Sequence, residues 1–197
     1  DDTSCGVADA CHAAGTCMSG QCAVGPTLAD GTPCPDADPC NGTETCQAGS
    51  CTTASGPAAL GAGMIAIRGA TLAMSGVIAP AGPIAPSTGD ALTLTIDAGG
   101  TALFASTLGH PGADVFWVRS KPPTLFKYKD GGGGAGGLTQ LQMKQRDGGY
   151  SLKAKGRNDQ LLALQGGAVA AKLVVGNQCW VATLPCVKKG HGLRCAS

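Results

Sequence analysis

Eight of the 11 cysteines lie within the first 51 residues, and they form a repeat. Within each half of the repeat the cysteines are separated by five, five and four residues, and the second half follows the first at an offset of 29. The halves are Cys5, Cys11, Cys17, Cys22 and Cys34, Cys40, Cys46, Cys51. A match at every position indicates a duplicated module. A unit of about 20 residues buries too little apolar surface to fold without cross-links. We therefore expect two disulfide-closed repeats, at 5–22 and 34–51, in a cysteine-rich domain over residues 1–53.

The spacing leaves the pairing open, because four cysteines allow three connectivities. We favour the first cysteine with the third and the second with the fourth in each repeat, since this interlocks the two loops. Nearer the carboxyl end, Cys186 and Cys195 are the preferred pair. Cys179 is then the odd cysteine, expected to be buried in a strand, with a bridge to another chain as the alternative.

This density of cysteines indicates an oxidising compartment, so we expect a secreted or cell-surface protein. No basic start followed by an apolar stretch precedes Asp1, and we expect any leader to have been removed already. A membrane span is not expected, since the uncharged candidate, residues 69–89, contains Pro80, Pro83 and Pro86.

Charge is divided unequally along the chain. Seven of the 13 acidic residues and none of the 14 basic residues precede residue 60, so the first part carries −7 and the remainder +8. Opposite charges steer association, which favours contact between the acidic part of one molecule and the basic part of the next. The interface residues expected from this pattern are Asp36, Asp38, Glu44, Lys188, Lys189 and Arg194. Nucleic-acid binding is not expected, because the basic residues are scattered in the sequence.

No cofactor is expected. Zinc is disfavoured because the cysteines are not closely paired and only His12 is near. Calcium stays an alternative, since Asp36, Asp38, Asn41 and Glu44 offer oxygen ligands, but the spacing departs from an EF-hand loop. The triplet Asn41-Gly42-Thr43 is also a glycosylation sequon.

Residues 31–51 read GTPCPDADPCNGTETCQAGSC. This segment resembles short cysteine-rich repeats in secreted and surface proteins of predatory and soil-dwelling bacteria. The resemblance implies a spacer or stalk and an extracellular location, without catalysis. Residues 126–130, 151–156 and 172–180 are similar to a poorly characterised β-domain that often follows such repeats, which implies no active-site residues.

The rest of the chain alternates apolar and polar residues in short runs bounded by Gly, Asp or Asn, which predicts about ten strands. We expect a linker over 54–62 and a jelly-roll-like antiparallel β-sandwich over 63–197. Asp147-Gly148-Gly149 predicts a hairpin turn, and the run 131–137 predicts a mobile glycine loop. The apolar stretch 64–78 is the candidate for a strand donated to another molecule.

No catalytic motif is present, so we expect no enzyme. The histidines His12, His110 and His191 are far apart, and hydrolysis by paired carboxylates would need Asp97, Asp114 and Asp159 to converge. Five of the seven aromatic residues hold most of the aromatic area and are expected mainly in the core, with an exposed sugar-binding platform as the alternative. They are Phe116, Trp117, Phe126, Tyr128 and Trp180. The leading hypothesis is a secreted structural subunit that assembles with copies of itself head to tail into a filament. The alternative is a monomeric adhesion module for a glycan or a surface protein.

Overall fold

The computed structural model describes residues 4–5, 9–34, 40–86, 89–109, 117–118 and 124–197. The chain divides into two compact units, Asp1–Pro57 and Ala58–Ser197. The division lies inside the segment 54–62 that was expected to be a linker. The described residues contain short and long β-strands and no α-helix.

The amino-terminal unit contains two small antiparallel sheets. Its strands are β1 (Ser4–Cys5), β2 (Gly15–Met18), β3 (Gln21–Ala23), β4 (Thr43–Gln47) and β5 (Ser50–Ser55). The strands β1–β2–β3 form one sheet and β4–β5 the other. The same two-residue turn closes β2–β3 and β4–β5. Its residues, Ser19-Gly20 and Ala48-Gly49, all have positive φ, which matches the twist of a tight hairpin. The repeated glycine of each module is therefore a turn residue.

The disulfides differ from the expected interlocked pairs. In each repeat the first cysteine is bonded to the fourth, Cys5 to Cys22 and Cys34 to Cys51. The third bond, Cys11–Cys46, joins the two repeats to each other. Spacing along the chain does not decide the pairing, because a disulfide needs Cα atoms that the fold brings within about 7 Å of each other. The fold brings the Cα atoms of the first and fourth cysteines to 5.7 Å in one repeat and 5.9 Å in the other.

The odd cysteine is Cys17 and not Cys179. Cys17 was expected in a disulfide but is a free, half-buried thiol. Cys179 and Cys40 are both disulfide-bonded, and Cys179 is buried. Cys186 and Cys195 are bonded, as the sequence indicated. With five disulfides in total, the chain is suited to an oxidising environment, which indicates an extracellular location.

Cysteine sulfur takes the place of a hydrophobic core in this unit. The buried cluster consists of Cys11, Cys34 and Cys46, with Leu28 packed against it. The sulfur atoms of Cys11, Cys34 and Cys51 lie within 4.8 Å of one another, so the bonds Cys11–Cys46 and Cys34–Cys51 are stacked. Cross-links therefore stabilise a unit that has few apolar side chains to bury.

The carboxyl-terminal unit is one large antiparallel sheet that curls into a half-barrel. Its first six strands are β6 (Ala58–Ala59), β7 (Gly61–Arg68), β8 (Thr71–Ile78), β9 (Leu92–Ala98), β10 (Thr101–Leu108) and β11 (Trp117–Val118). The other six are β12 (Leu125–Lys129), β13 (Leu138–Arg146), β14 (Gly149–Arg157), β15 (Gly167–Val175), β16 (Gln178–Lys189) and β17 (Gly192–Ala196). The order is β10-β9-β15-β16-β17-β7-β8-β14-β13-β12-β11, and β6 pairs with β16 in parallel. A five-residue 3-10 helix, Asp159–Ala163, follows β14.

This arrangement differs from the two-sheet sandwich that the sequence predicted, because all twelve strands are hydrogen-bonded into one sheet. Alternating side chains still divide the sheet into two faces, and the inner face of the curl carries the core. Its largest fully buried members are Trp180, Tyr128, Phe104, Phe126, Ile65, Ile78, Leu92, Leu94, Ile96, Leu108, Leu138 and Leu141. The predicted hairpin between β13 and β14 is present.

The glycine run 131–137 is held by hydrogen bonds instead of being the mobile loop that was expected. It connects β12 to β13 and lies against β10, at the other end of the strand order. Ser106 Oγ donates a hydrogen bond to the carbonyl of Ala135 at 2.6 Å. A Cβ atom on Gly136 would lie 2.2 Å from the carbonyl oxygen of Ala105, so this contact needs glycine. The loop thus connects distant parts of the curled sheet.

The stretch 64–78 is also unavailable as a donated strand. It forms the β7–β8 hairpin in the interior of the sheet, where β17 pairs with β7 and β14 pairs with β8. Among the described residues, no helix has the length and apolar character needed to cross a membrane.

Candidate binding surface

Basic side chains that are scattered in the sequence converge on the outer face of the curled sheet. Along β12 and β14 every second residue points outward, and both strands carry lysine at successive outward positions. These residues are Lys127, Lys129, Lys153 and Lys155, all of them exposed. We call this group the lysine face. These four lysines are scattered in the sequence but lie together in the folded chain.

The strand register places glutamines between the lysines. In one row across the sheet, Lys129 is opposite Gln140, which is opposite Lys155. In the adjacent row, Lys127 is opposite Gln142, which is opposite Lys153. Because neighbouring strands are about 4.8 Å apart, the two lysine columns are separated by roughly 10 Å. The rows themselves lie about 7 Å apart along the strands.

Beyond β14 the same face becomes apolar and then basic again. Lys155 is followed across the sheet by Ala73, Ala66 and Arg194. Lys153 is followed by Ser75 and Met64, whose side chain is 37% exposed. A groove of about 700 Å³ runs over this surface, and its lining includes the lysine face, both glutamines and the small apolar residues.

The lysine face has no acidic neighbour in its groove as far as the structure describes it, since the described lining residues include neither Asp nor Glu. None of the lysines of the lysine face forms an ion pair with a described residue. Four ammonium groups so close together repel one another, and a bound polyanion relieves that repulsion.

The interface residues expected from the sequence are only partly brought together. Arg194 lies on the outer face, opposite Ala66. Lys188 and Lys189 are exposed at the β16–β17 hairpin, beside His191, away from the groove of the lysine face. Glu44 is buried and accepts a hydrogen bond from Asn41, so it is not the exposed acidic group that was expected. Asp36 and Asp38 lie outside the described residues.

The candidate calcium and zinc ligands do not form a site in the described residues. Asn41 donates a hydrogen bond to Glu44, while Asp36 and Asp38 lie outside the described residues. His12 Nδ1 lies 2.9 Å from Asp9, whose pKa is lowered mainly by the backbone N–H of Cys11 and by His12. The convergent sulfurs of Cys11, Cys34 and Cys51 are in disulfides and offer no thiolate.

The aromatic platform has no support among the described side chains. Phe126, Tyr128 and Trp180 are buried, and Trp117 is half-buried with its ring 5.8 Å from that of Tyr128. Phe116 lies outside the described residues. A ligand on the outer face would therefore meet lysines and glutamines and not aromatic rings.

The residues considered for hydrolysis are dispersed where the structure describes them. Asp97 is on β9, and Asp159 begins the 3-10 helix. His110 and Asp114 lie outside the described residues. These positions offer no described nucleophile, base and oxyanion site in one place.

Among the described aspartates of the larger unit, Asp130 is strongly buried and has a structural role. Asp130 follows β12 and accepts hydrogen bonds from the backbone N–H groups of Gly132 and Gly134, at 2.8 and 2.6 Å. The bond from Gly134, followed by that from Gly132, lowers the pKa of this carboxyl group. The expectation for this loop rested on its glycine content alone and did not include the aspartate whose hydrogen bonds organise it.

The lysine face had a sequence signal that was not used. Both Lys127-Tyr128-Lys129 and Lys153-Ala154-Lys155 alternate lysine with a buried residue. In a strand this pattern places both lysines on one face. What the sequence could not supply was the register that puts these two strands on either side of β13.

Comparisons with protein-family models, curated proteins and solved structures give no match to this chain.

Proposed function

We propose that this chain is a secreted, non-enzymatic adhesion module that binds an acidic macromolecule on the outer face of its carboxyl-terminal sheet. The observation that carries the proposal is the lysine face, a group of exposed ammonium groups with no carboxylate among the described residues that line its groove. Attraction of this kind accelerates encounter and favours polyanions over neutral partners.

Binding to immobilised polyanions tests this proposal. Purified full chain is passed over polyglutamate, dextran sulfate and duplex DNA while the salt concentration is raised. We expect retention on at least one of them that weakens with salt. Changing Lys127 and Lys153 to Glu should abolish retention, whereas changing Lys188 and Lys189 to Glu should reduce it much less. Equal losses in the two variants, or no retention of the unaltered protein, would refute the proposal.

The division of charge along the chain favours a second candidate, the self-assembling structural subunit. The first 59 residues carry −7 and the remainder +8, so one copy offers both an acidic and a basic partner surface. Light scattering and negative-stain imaging at low and high salt separate the candidates. Assemblies that dissolve on adding salt favour the subunit, while a monomer at every salt concentration eliminates it.

A further inference from the structure

Two glutamines lie among the lysines of the lysine face, and their neutral hydrogen-bonding groups restrict the class of ligand that can bind there. Gln140 and Gln142 lie on β13, between the lysine columns of β12 and β14, in both rows. Gln140 is exposed and Gln142 is half-buried. Each amide has two donor hydrogens and an acceptor oxygen, so it can pair with hydroxyl groups in either sense. A ligand that spans one row therefore contacts a lysine ammonium group, then a glutamine amide, and then a second lysine ammonium group.

The surface beside the two rows also restricts the kind of ligand that can bind. Ala73 and Ala66 continue one row and Ser75 and Met64 the other, giving a low, mostly apolar surface in the same groove. Small side chains allow a flat ligand to approach the sheet closely. Apolar C–H groups of that ligand lose contact with water when they cover this surface.

Nucleic acid fits this face less well. Proteins that bind single strands usually stack bases on aromatic side chains, and the described aromatic rings of this unit are buried or half-buried on the inner face. Duplex DNA could be held by its phosphates alone, but such binding makes no use of amides between the lysines. An acidic protein segment would supply carboxylates without a regular series of hydroxyl groups.

We propose that the ligand of the lysine face is a linear acidic polysaccharide, in which carboxylate or sulfate groups contact Lys127, Lys129, Lys153 and Lys155 while hydroxyl groups pair with Gln140 and Gln142. The inference deepens the proposed function and rests on it. Lysine provides compact charges on flexible stems, which suits acidic groups that vary in type and exact position along a chain.

The test changes the amides and leaves every charge in place. A Gln140→Ala/Gln142→Ala variant is compared with a matched Gln145→Ala/Gln160→Ala variant, whose residues do not line the groove. Binding of full chain to alginate, dextran sulfate, polyglutamate and duplex DNA is measured by titration calorimetry at one salt concentration, with neutral dextran as a blank. We expect the groove variant to lose on the order of tenfold in affinity for at least one acidic polysaccharide. Its affinity for polyglutamate and DNA should be unchanged, and the matched variant should behave like the unaltered protein.

Two outcomes overturn the inference while leaving the proposed function intact. One is that the unaltered protein binds polyglutamate or duplex DNA at least as tightly as it binds alginate and dextran sulfate. Another is that the groove variant keeps full polysaccharide affinity, which would mean that the amides contact nothing. Failure of the unaltered protein to bind any of these polyanions would instead remove the proposed function itself. Circular dichroism melting of each variant shows whether the fold is retained.

Discussion

At the scale of single residues, Asp130 shows how a buried charge is accommodated. It is 5% exposed, and its carboxylate oxygens accept hydrogen bonds from the backbone N–H groups of Gly132 and Gly134 in the glycine loop. Backbone donors that converge on a carboxylate favour its ionised form, which accounts for the lowered pKa. Glycine suits this loop because chain reversal around one carboxylate uses positive φ, as at Gly133.

Replacing Asp130 with Asn should therefore destabilise the unit in a way that depends on pH. A carboxyl whose folded-state pKa is lowered stabilises the fold above its unfolded pKa of about 3.9, and this contribution is lost as the pH falls through the folded value. We expect Asp130→Asn to melt at lower temperature than the unaltered protein at neutral pH. The difference should narrow below about pH 4.

Melting curves recorded from neutral to acidic pH provide the measurement. Asp147→Asn is the control, because Asp147 is exposed in the β13–β14 turn, where Asn-Gly is as suitable as Asp-Gly. A difference that stays constant down to the lowest pH would show that the charge of Asp130 is not what stabilises the loop.

At the scale of elements, the contact between the glycine loop and β10 depends on one position. Gly136 has φ of 60°, and a side chain there would meet the backbone of Ala105. Both the backbone conformation and the close approach therefore exclude other residues. Gly131, in the same loop, has open space around its missing Cβ.

Gly136→Ala should cost about 1–3 kcal/mol of unfolding free energy, since the loop must move away from β10 or adopt a strained conformation. Gly131→Ala should change stability by less than about 1 kcal/mol. Urea denaturation of both variants measures the two values. If they prove equal, the contact between loop and strand does not contribute to stability.

The sequence predicts strands correctly where apolar and polar residues alternate strictly. It does not predict a strand that is defined mainly by pairing with residues far away in the chain. Thr71–Ile78 and Leu125–Lys129 are strands of the kind that the alternating pattern predicts, because in each of them side chains alternate between core and solvent. The strand Gly192–Ala196 was missed, since it is short and begins in a basic, glycine-rich tail. Its place between β16 and β7 comes from long-range pairing.

At the scale of the whole molecule, the two units are stabilised by different physics. The larger unit buries an extensive apolar core inside its curled sheet. The smaller unit has stacked disulfides and only a small buried cluster. Its bond Cys11–Cys46 closes a loop between cysteines that are 35 residues apart in the sequence. Closing a loop of that length removes unfolded-chain entropy worth about 4 kcal/mol.

Removing this bond should therefore unfold the smaller unit alone. In a Cys11→Ala/Cys46→Ala variant we expect loss of hydrogen-exchange protection at amides of the smaller unit, such as those of Leu28 and Cys34, which donate to the carbonyls of residue 11 and of Glu44. The amides of β9 and β15 should stay protected.

The control is Cys186→Ala/Cys195→Ala, which removes a bond between two strands that are already hydrogen-bonded to each other. That variant should leave the exchange of the smaller unit unchanged. Protected amides in the smaller unit of the first variant would contradict the view that disulfides replace its core.

By itself the sequence determined the suitability for an oxidising environment, the duplicated cysteine unit and the β-class of the remainder, because cysteine density, turn residues and alternation act within short stretches of chain. Only the tertiary structure decided which cysteines are bonded, that one sheet takes the place of two, and that Lys127 and Lys153 lie in one row with Gln142 between them. These features depend on contacts between residues far apart in the chain. Such contacts are selected by the packing of the whole unit, and no local pattern encodes them.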